Sequence, residues 1–279
     1  MLLIHFPAFI ALTALGTSVS ASCLHGTSLQ PRHLIKYEEE LKAVEVSKFG
    51  YTGLQGPLNW AGLSGENAAC RDGNNQSPIN LASPQIEQIA PGTMKLSIPK
   101  VEAAELENLG STVEVVMEGL NGTLTLEDKT FALKQFHFHT PSEHRINEEH
   151  FPLEMHNGSE NFAVVAVLFQ LSESRKCDKL VKRALANVND VATPGSVTKT
   201  DELDFTELER QLSEQPMFRY IGSLTTPPCK EGITFLVTTQ PLQLGIKTYN
   251  EAKKVIKFNS RYTQNDLGQE NLLKVGCSK

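Results

Sequence analysis

The chain has 279 residues and a formal net charge of −6, with a pI near 5.8. Hydrophobic residues make up 40% and charged residues 21%, the balance of a globular protein with a true core. The acidic balance excludes the basic face of a nucleic-acid binder, and no repeat, low-complexity tract or Pro/Gly/Ser linker divides the chain into separate units.

The first residues are apolar through about Leu15 and then turn small and polar. Val19-Ser20-Ala21 fits the small-residue pattern before a signal-peptidase cut, so residues 1–21 are predicted to be a signal peptide, although no Lys or Arg precedes the apolar run. That run is well short of the roughly 20 residues of a membrane-spanning helix. "QENLLKVGCSK" carries no lipid-anchor tail. The expectation is therefore a secreted, extracellular protein without a membrane partner, folded as one domain from Ser22 to Lys279. Residues 22–48 are polar and charged and are predicted to be an irregular or partly helical arm.

Strands follow. Residues 112–117 alternate, residues 123–126 ("TLTL") lie beyond a Gly119–Gly122 turn, and residues 131–139, 161–171 and 232–240 are short, β-branched and bounded by Gly, Pro or Asn. Helices are fewer. Residues 177–188 place Leu180, Ala184, Leu185 and Val188 on one face; residues 205–212 and 249–258 are shorter candidates. The pattern predicts a mainly β (β-rich α+β) chain with peripheral short helices.

In an oxidising compartment the five cysteines read as disulfides rather than metal thiolates, and the odd number leaves one free or paired between chains. Cys23 and Cys277 lie near the termini, where a disulfide-linked homodimer is sterically easy. Three Asn-x-Ser/Thr sequons occur; the one at Asn75 is followed by Pro78, which leaves Asn121 and Asn157 as glycosylation candidates.

Five of the eight histidines fall within "QFHFHTPSEHRINEEHFPLEMH", residues 135–156. On a strand, His137 and His139 point to one face and Phe136 and Phe138 to the other. Two such imidazoles stand about 7 Å apart, twice the per-residue rise, which suits one ion. His156 ends a strand-like "PLEMH". If that segment pairs beside the first, three neutral nitrogens converge and leave one position open on a tetrahedral zinc, the arrangement of a catalytic site. Zinc so held brings its bound water to hydroxide near neutral pH. His144 and His150 break the alternation and read as a buried structural histidine and a solvated one. His137-x-His139-x-x-x-Glu143 also matches the core of the cupin metal motif, in which the glutamate is a ligand. The flanking glycines of that motif are replaced here by Phe131 and His150.

"QFHFHTPSEH", "EMH" and "YIGSLTTPPC" (220–229) together resemble the α-class carbonic anhydrases. So do "FGYTG" (49–53), "GPLNW" (56–60), "NNQSPINL" (74–81) and "FNSRYTQ" (258–264), in the family's order over most of the mature chain. The short gap between His139 and Glu143 is similar to microbial and fungal members. The resemblance implies a large, twisted, mostly antiparallel central sheet. It implies zinc-dependent reversible hydration of carbon dioxide to bicarbonate by zinc-bound hydroxide. A non-catalytic binding relative is the alternative.

By the same resemblance His137, His139 and His156 are the Zn2+ ligands, anchored by Gln135, the Asn259 carbonyl and Glu154. Thr225 passes a hydrogen bond from hydroxide to Glu143, and its backbone N–H and Thr226 serve the bicarbonate site. Val164, Leu224, Ile233 and Phe235 form the carbon dioxide wall, Phe235 replacing the usual Trp. Gly158 falls where that wall commonly has Val. Tyr51 joins the site's water network. Ser111 stands where fast members carry a proton-shuttle histidine, so turnover is expected to depend on buffer unless Glu114, His25 or His33 reaches the cavity. Cys70 and Cys229 match a disulfide of secreted members, while Cys23, Cys177 and Cys277 have no assignable partner.

Overall fold

The computed structural model describes residues 43–277 except 83–85, 160–162 and 174–178, with Cys277 described by its backbone alone. The expected signal peptide at residues 1–21, most of the arm, His25, His33, Cys23 and Cys177 lie outside the described residues. What is described of the arm, residues 43–48, has no helix.

The strands are β1 Glu87–Ile89, β2 Met94–Ser97, β3 Glu105–Asn108, β4 Val113–Val116, β5 Thr123–Leu126, β6 Lys129–His139, β7 Arg145–Ile146, β8 Glu149–His150, β9 Leu153–Ser159, β10 Ala163–Ser172, β11 Val197–Lys199, β12 Met217–Ser223, β13 Glu231–Thr238 and β14 Leu242–Gly245. The α-helices are α1 Trp60–Leu63, α2 Ala69–Asp72, α3 Lys179–Ala184, α4 Thr206–Glu214, α5 Ile246–Ile256 and α6 Leu272–Cys277. Among the described residues no helix is long and apolar enough to cross a membrane.

The main sheet runs β1-β12-β13-β10-β9-β6-β4-β3-β11, with β14 beside β10 and the β2–β5 pair joined to β6. Its pairings are antiparallel except those of β10 with β13 and β14, so the sheet is mixed but mostly antiparallel. Because successive side chains alternate, each strand supplies two layers. The back face carries Phe136, Phe138, Met155, Val165, Val167 and Leu236 in the larger core cluster. Phe136 is fully buried between Phe138 and Phe205, with ring centroids 5.8 and 5.9 Å away. The front face carries a smaller apolar cluster that includes Val164, Ala166, Leu224, Ile233 and Phe235. The histidine-bearing stretch of β6 lies near the middle of the sheet, on this front face.

The helix expected at 177–188 is shorter than its periodicity suggests. After Ala184 the chain turns, and Asn187 spends its amide on the Lys199 carbonyl at 2.9 Å before a 3-10 turn at Val188–Val191. Asn competes for such backbone bonds and favours helix ends.

Candidate metal centre

The β6–β9 ladder places His137 opposite His156, His139 opposite Glu154 and Gln135 opposite Gly158. This register brings His137, His139 and His156 together. Their ring centroids are 5.1, 5.3 and 4.6 Å apart, and one ligand atom from each lies within 4.8 Å of the others.

The other nitrogen of each ring is anchored. His137 Nδ1 donates to Gln135 Oε1 at 2.8 Å, His139 Nδ1 to the Asn259 carbonyl at 2.9 Å, and His156 Nε2 to Glu154 Oε1 at 2.8 Å. An amide oxygen, a carbonyl and a carboxylate can only accept, so each contact fixes the tautomer. It turns Nε2, Nε2 and Nδ1 toward the common centre as neutral lone-pair donors. Burial, then the neighbouring His156, lowers the His139 pKa to about 3, so its ring is neutral well below physiological pH. Three neutral imidazoles with one open side fit a zinc-type ion, and the set contains no thiolate.

Glu154 organises the histidines. Its Oε2 accepts the backbone N–H groups of Glu143 and His144 at 2.7 and 2.9 Å. Its Oε1 accepts His144 Nδ1 at 2.6 Å as well as His156. Burial alone would raise this carboxyl, but His144 and His156 hold it well below the usual range. His144, Glu154 and His156 also cluster closely enough for a metal, yet their facing atoms are spent on each other, so this cluster is scaffold. His144 is buried, and its Nε2 accepts the Tyr220 hydroxyl at 2.6 Å. His150 is exposed; its Nδ1 donates to the Ser142 carbonyl at 2.8 Å, and its Nε2 accepts Arg145 at 2.8 Å.

Glu143 lies outside the three-histidine group, with Oε2 3.4 Å from His139 Nε2. That placement does not suit a cupin ligand. Oε1 accepts the Arg261 backbone N–H at 2.9 Å, and the Thr225 hydroxyl favours the ionised carboxylate. Against these, burial is the largest influence and raises the Glu143 pKa in the metal-free chain.

Asn259 is used in full. Its Oδ1 accepts Thr140 N at 2.8 Å, and its Nδ2 donates to the carbonyls of Phe138 and Ser111 at 2.8 and 3.2 Å. Ser111 itself is buried, its hydroxyl bonded to that of Ser47 at 2.8 Å, so the arm covers this position. Glu114 is buried across the ladder from His137.

Val164, Leu224, Ile233 and Phe235 share the front-face cluster. Phe235 stacks on Tyr220 at 5.1 Å and meets His156 edge-on at 5.8 Å. Thr225 and Thr226 are buried at the loop after β12. Cys70 and Cys229 form a disulfide across 159 residues. The Cys229 N–H returns to the Thr226 carbonyl at 2.8 Å, which ties the bond directly to this loop. Tyr51 packs edge-on against Phe49 and Trp60 at 6.3 and 5.6 Å.

Two points correct or extend the sequence reading. Asn157 is 1% exposed in β9 and donates its amide to the Val165 carbonyl at 3.1 Å, so the folded chain has no room for a glycan there. Asn121 is exposed in the β4–β5 turn. Sequence reasoning missed Arg261. This buried guanidinium donates to Ser77 O at 2.7 Å, Gln76 Oε1 at 2.9 Å and Cys70 O at 3.2 Å, and lies 5.7 Å over the Trp60 ring. Only its place in "FNSRYTQ" could have marked it.

A mixed, mostly antiparallel sheet presenting three anchored imidazoles beside an apolar wall has the donor set that a single metal ion would need. The family model for eukaryotic-type carbonic anhydrase matches residues 55–272, and the chain belongs to that family. The fungal α-carbonic anhydrase of Aspergillus oryzae superposes with a TM-score of 0.79 at 46% identity, covering 84% of this chain and 100% of that one. A carbonic anhydrase of Pectobacterium atrosepticum is 33% identical over 75% of this chain and 83% of its own length. Dioscorin DB3L of Dioscorea polystachya is 34% identical over 65% of this chain and 67% of its own.

Proposed function

We propose that this chain is a zinc enzyme that reversibly hydrates carbon dioxide to bicarbonate and a proton, with His137, His139 and His156 holding the metal. The convergence of three imidazoles with fixed tautomers carries the reading. Zinc at this centre supplies a Lewis-acidic dication that makes hydroxide available near neutral pH and favours the ionised form of a carboxylate beside it.

The protein's own groups supply the rest. The Thr225 hydroxyl donates to Glu143, which leaves its lone pairs to accept from a nucleophile that carries a hydrogen. The site thereby admits proton-bearing ligands and orients the attacking oxygen. The Thr225 N–H and Thr226 hold the oxygens of bicarbonate. The apolar surface of Val164, Leu224, Ile233 and Phe235 receives carbon dioxide, which offers no charge to bind. Ser111 has no group that titrates near neutrality, so proton export falls to buffer.

The disulfide belongs to oxidising compartments and supports secretion, and the exposure of Asn121 leaves that sequon open to a glycan. A homodimer bridged through Cys23 or Cys277 would run at twice the monomer mass on a non-reducing gel.

The test is stopped-flow carbon dioxide hydration by the zinc-loaded protein at several buffer concentrations. A rate that rises with buffer and vanishes with zinc removal is expected. A bound metal with no rate would place the chain with the non-catalytic relatives.

A further inference from the structure

Among the described residues Arg261 is the only Arg or Lys that is buried. A charge taken out of water needs acceptors to replace it. The guanidinium finds three neutral ones on the segment 70–77: the carbonyls of Cys70 and Ser77 and the amide oxygen of Gln76. Residues 259–264 have no helix or strand to place their main chain. Their two ends are tied by Asn259 N–H to the Thr140 carbonyl at 3.3 Å and by Gln264 N–H to the Pro78 carbonyl at 2.8 Å. Between those ends the Arg261 side chain fixes the segment, and its planar fork sets direction as well as distance.

The same residue touches both halves of the site's hydrogen-bond relay. Its main-chain N–H holds Glu143 Oε1 at 2.9 Å. On the other side Gln76 continues the line of contacts. With its oxygen on the guanidinium, its Nε2 donates to the Cys229 carbonyl at 3.0 Å. Cys229 N–H in turn closes the Thr225–Thr226 loop on the Thr226 carbonyl. Glu143 and the loop that carries its partner Thr225 are therefore both referenced to Arg261.

We propose that Arg261 is a positioning residue that holds Glu143 and the Thr225 loop in line, and that this alignment sets the preference of the metal centre for ligands that carry a hydrogen. A hydroxyl has one proton to give. While Thr225 gives it to Glu143, the ligand must donate. If the frame slackens, Thr225 can donate to the ligand instead, and an anion without a hydrogen competes better. This rests on the zinc hydratase reading of the site.

The test compares cyanamide with cyanate by calorimetry on zinc-loaded protein. The two are of similar size and shape, but cyanamide binds a metal as an anion that keeps one N–H, whereas cyanate has no hydrogen. The proteins are the native chain, Arg261→Met, Arg261→Lys and Gln76→Met, with zinc stoichiometry measured in each. In Arg261→Met the preference for cyanamide over cyanate should fall by about tenfold, the scale of one hydrogen bond to a charged group, at unchanged zinc content. Lys, which keeps a donor for one of the carbonyls, should restore part of it. Gln76→Met cuts the link to Cys229 and spares the two carbonyl contacts of Arg261; it should lower the preference in the same direction, and it carries the comparison should Arg261→Met fail to fold. Equal weakening of both ligands, or loss of zinc, would mean that Arg261 merely supports the fold, and an unchanged preference would mean that the relay does not need it; each overturns the proposal. If the native zinc-loaded chain binds neither ligand, the metal-centre reading itself falls.

Discussion

Glu154 gathers four N–H groups on two carboxylate oxygens: two from the backbone and two from the rings of His144 and His156. In Glu154→Gln one oxygen becomes an NH2 group that meets donors head-on. Metal affinity should fall by about 10- to 100-fold, the usual effect of losing a partner that orients a ligand histidine; competition with a chromogenic chelator measures it. At Asn157 the structure sets a different expectation. Expressed in a glycosylating host, Asn157→Gln should leave the glycan mass unchanged, whereas Asn121→Gln should remove glycan; mass spectrometry separates the two. The His-x-His pair and Glu154 were legible because a strand's period of two assigns each to a face. Asn157 and Arg261 were not. A sequon is read without regard to burial, and one arginine carries no periodic signal that would place it beneath a disulfide and against a tryptophan.

At the scale of elements, β6 has a metal-binding front and an aromatic back. Phe136→Ala would open a cavity behind the site and should cost about 3–5 kcal/mol, read from urea unfolding. The Cys70–Cys229 bond anchors the Thr225–Thr226 loop to the N-terminal segment. Replacing both cysteines with serine should cost about 2–5 kcal/mol and lower kcat more than it alters zinc stoichiometry. The strands found from sequence were those with visible alternation, a continuous apolar run or clear turn signals at their ends; β12 Met217–Ser223, where Arg219 and Gly222 interrupt the pattern, was not among them. β5 runs Thr123–Leu126, as its turn signals indicated, and β6 extends the expected strand by two residues at its start. β1, β2, β3 and β11 have three or four residues each, too few for a period to register, and their pairing partners alone make them strands.

At the scale of the whole molecule, the buried titrating groups set how the metal-free chain responds to acid. His139 titrates near 3 in the folded chain against 6.5 as a free side chain, and Glu154 lies well below 4.5. In both cases the unfolded chain binds more protons, so the stability they confer is present at neutral pH and lost as pH falls. Glu143 is raised and works in the opposite direction, but only above its unfolded value of 4.5. Below that value both folded and unfolded Glu143 are protonated and the opposition ends. Metal-free protein should therefore lose stability steeply between about pH 4.5 and 3, by up to roughly 1.4 kcal/mol per pH unit for each depressed group. Denaturant midpoints measured across that range check it, and a flat profile would contradict the depression of His139 and Glu154. The order of the chain has its own consequence for how the centre is assembled. Asn259, which anchors His139, is 120 residues further along. At typical rates of synthesis that interval lasts on the order of ten seconds. During it a nascent chain can present all three imidazoles, but the ring of His139 still swings. An ion captured then sits in an exchangeable cage, and the lock closes only when the later segment leaves the ribosome and folds back beneath β6.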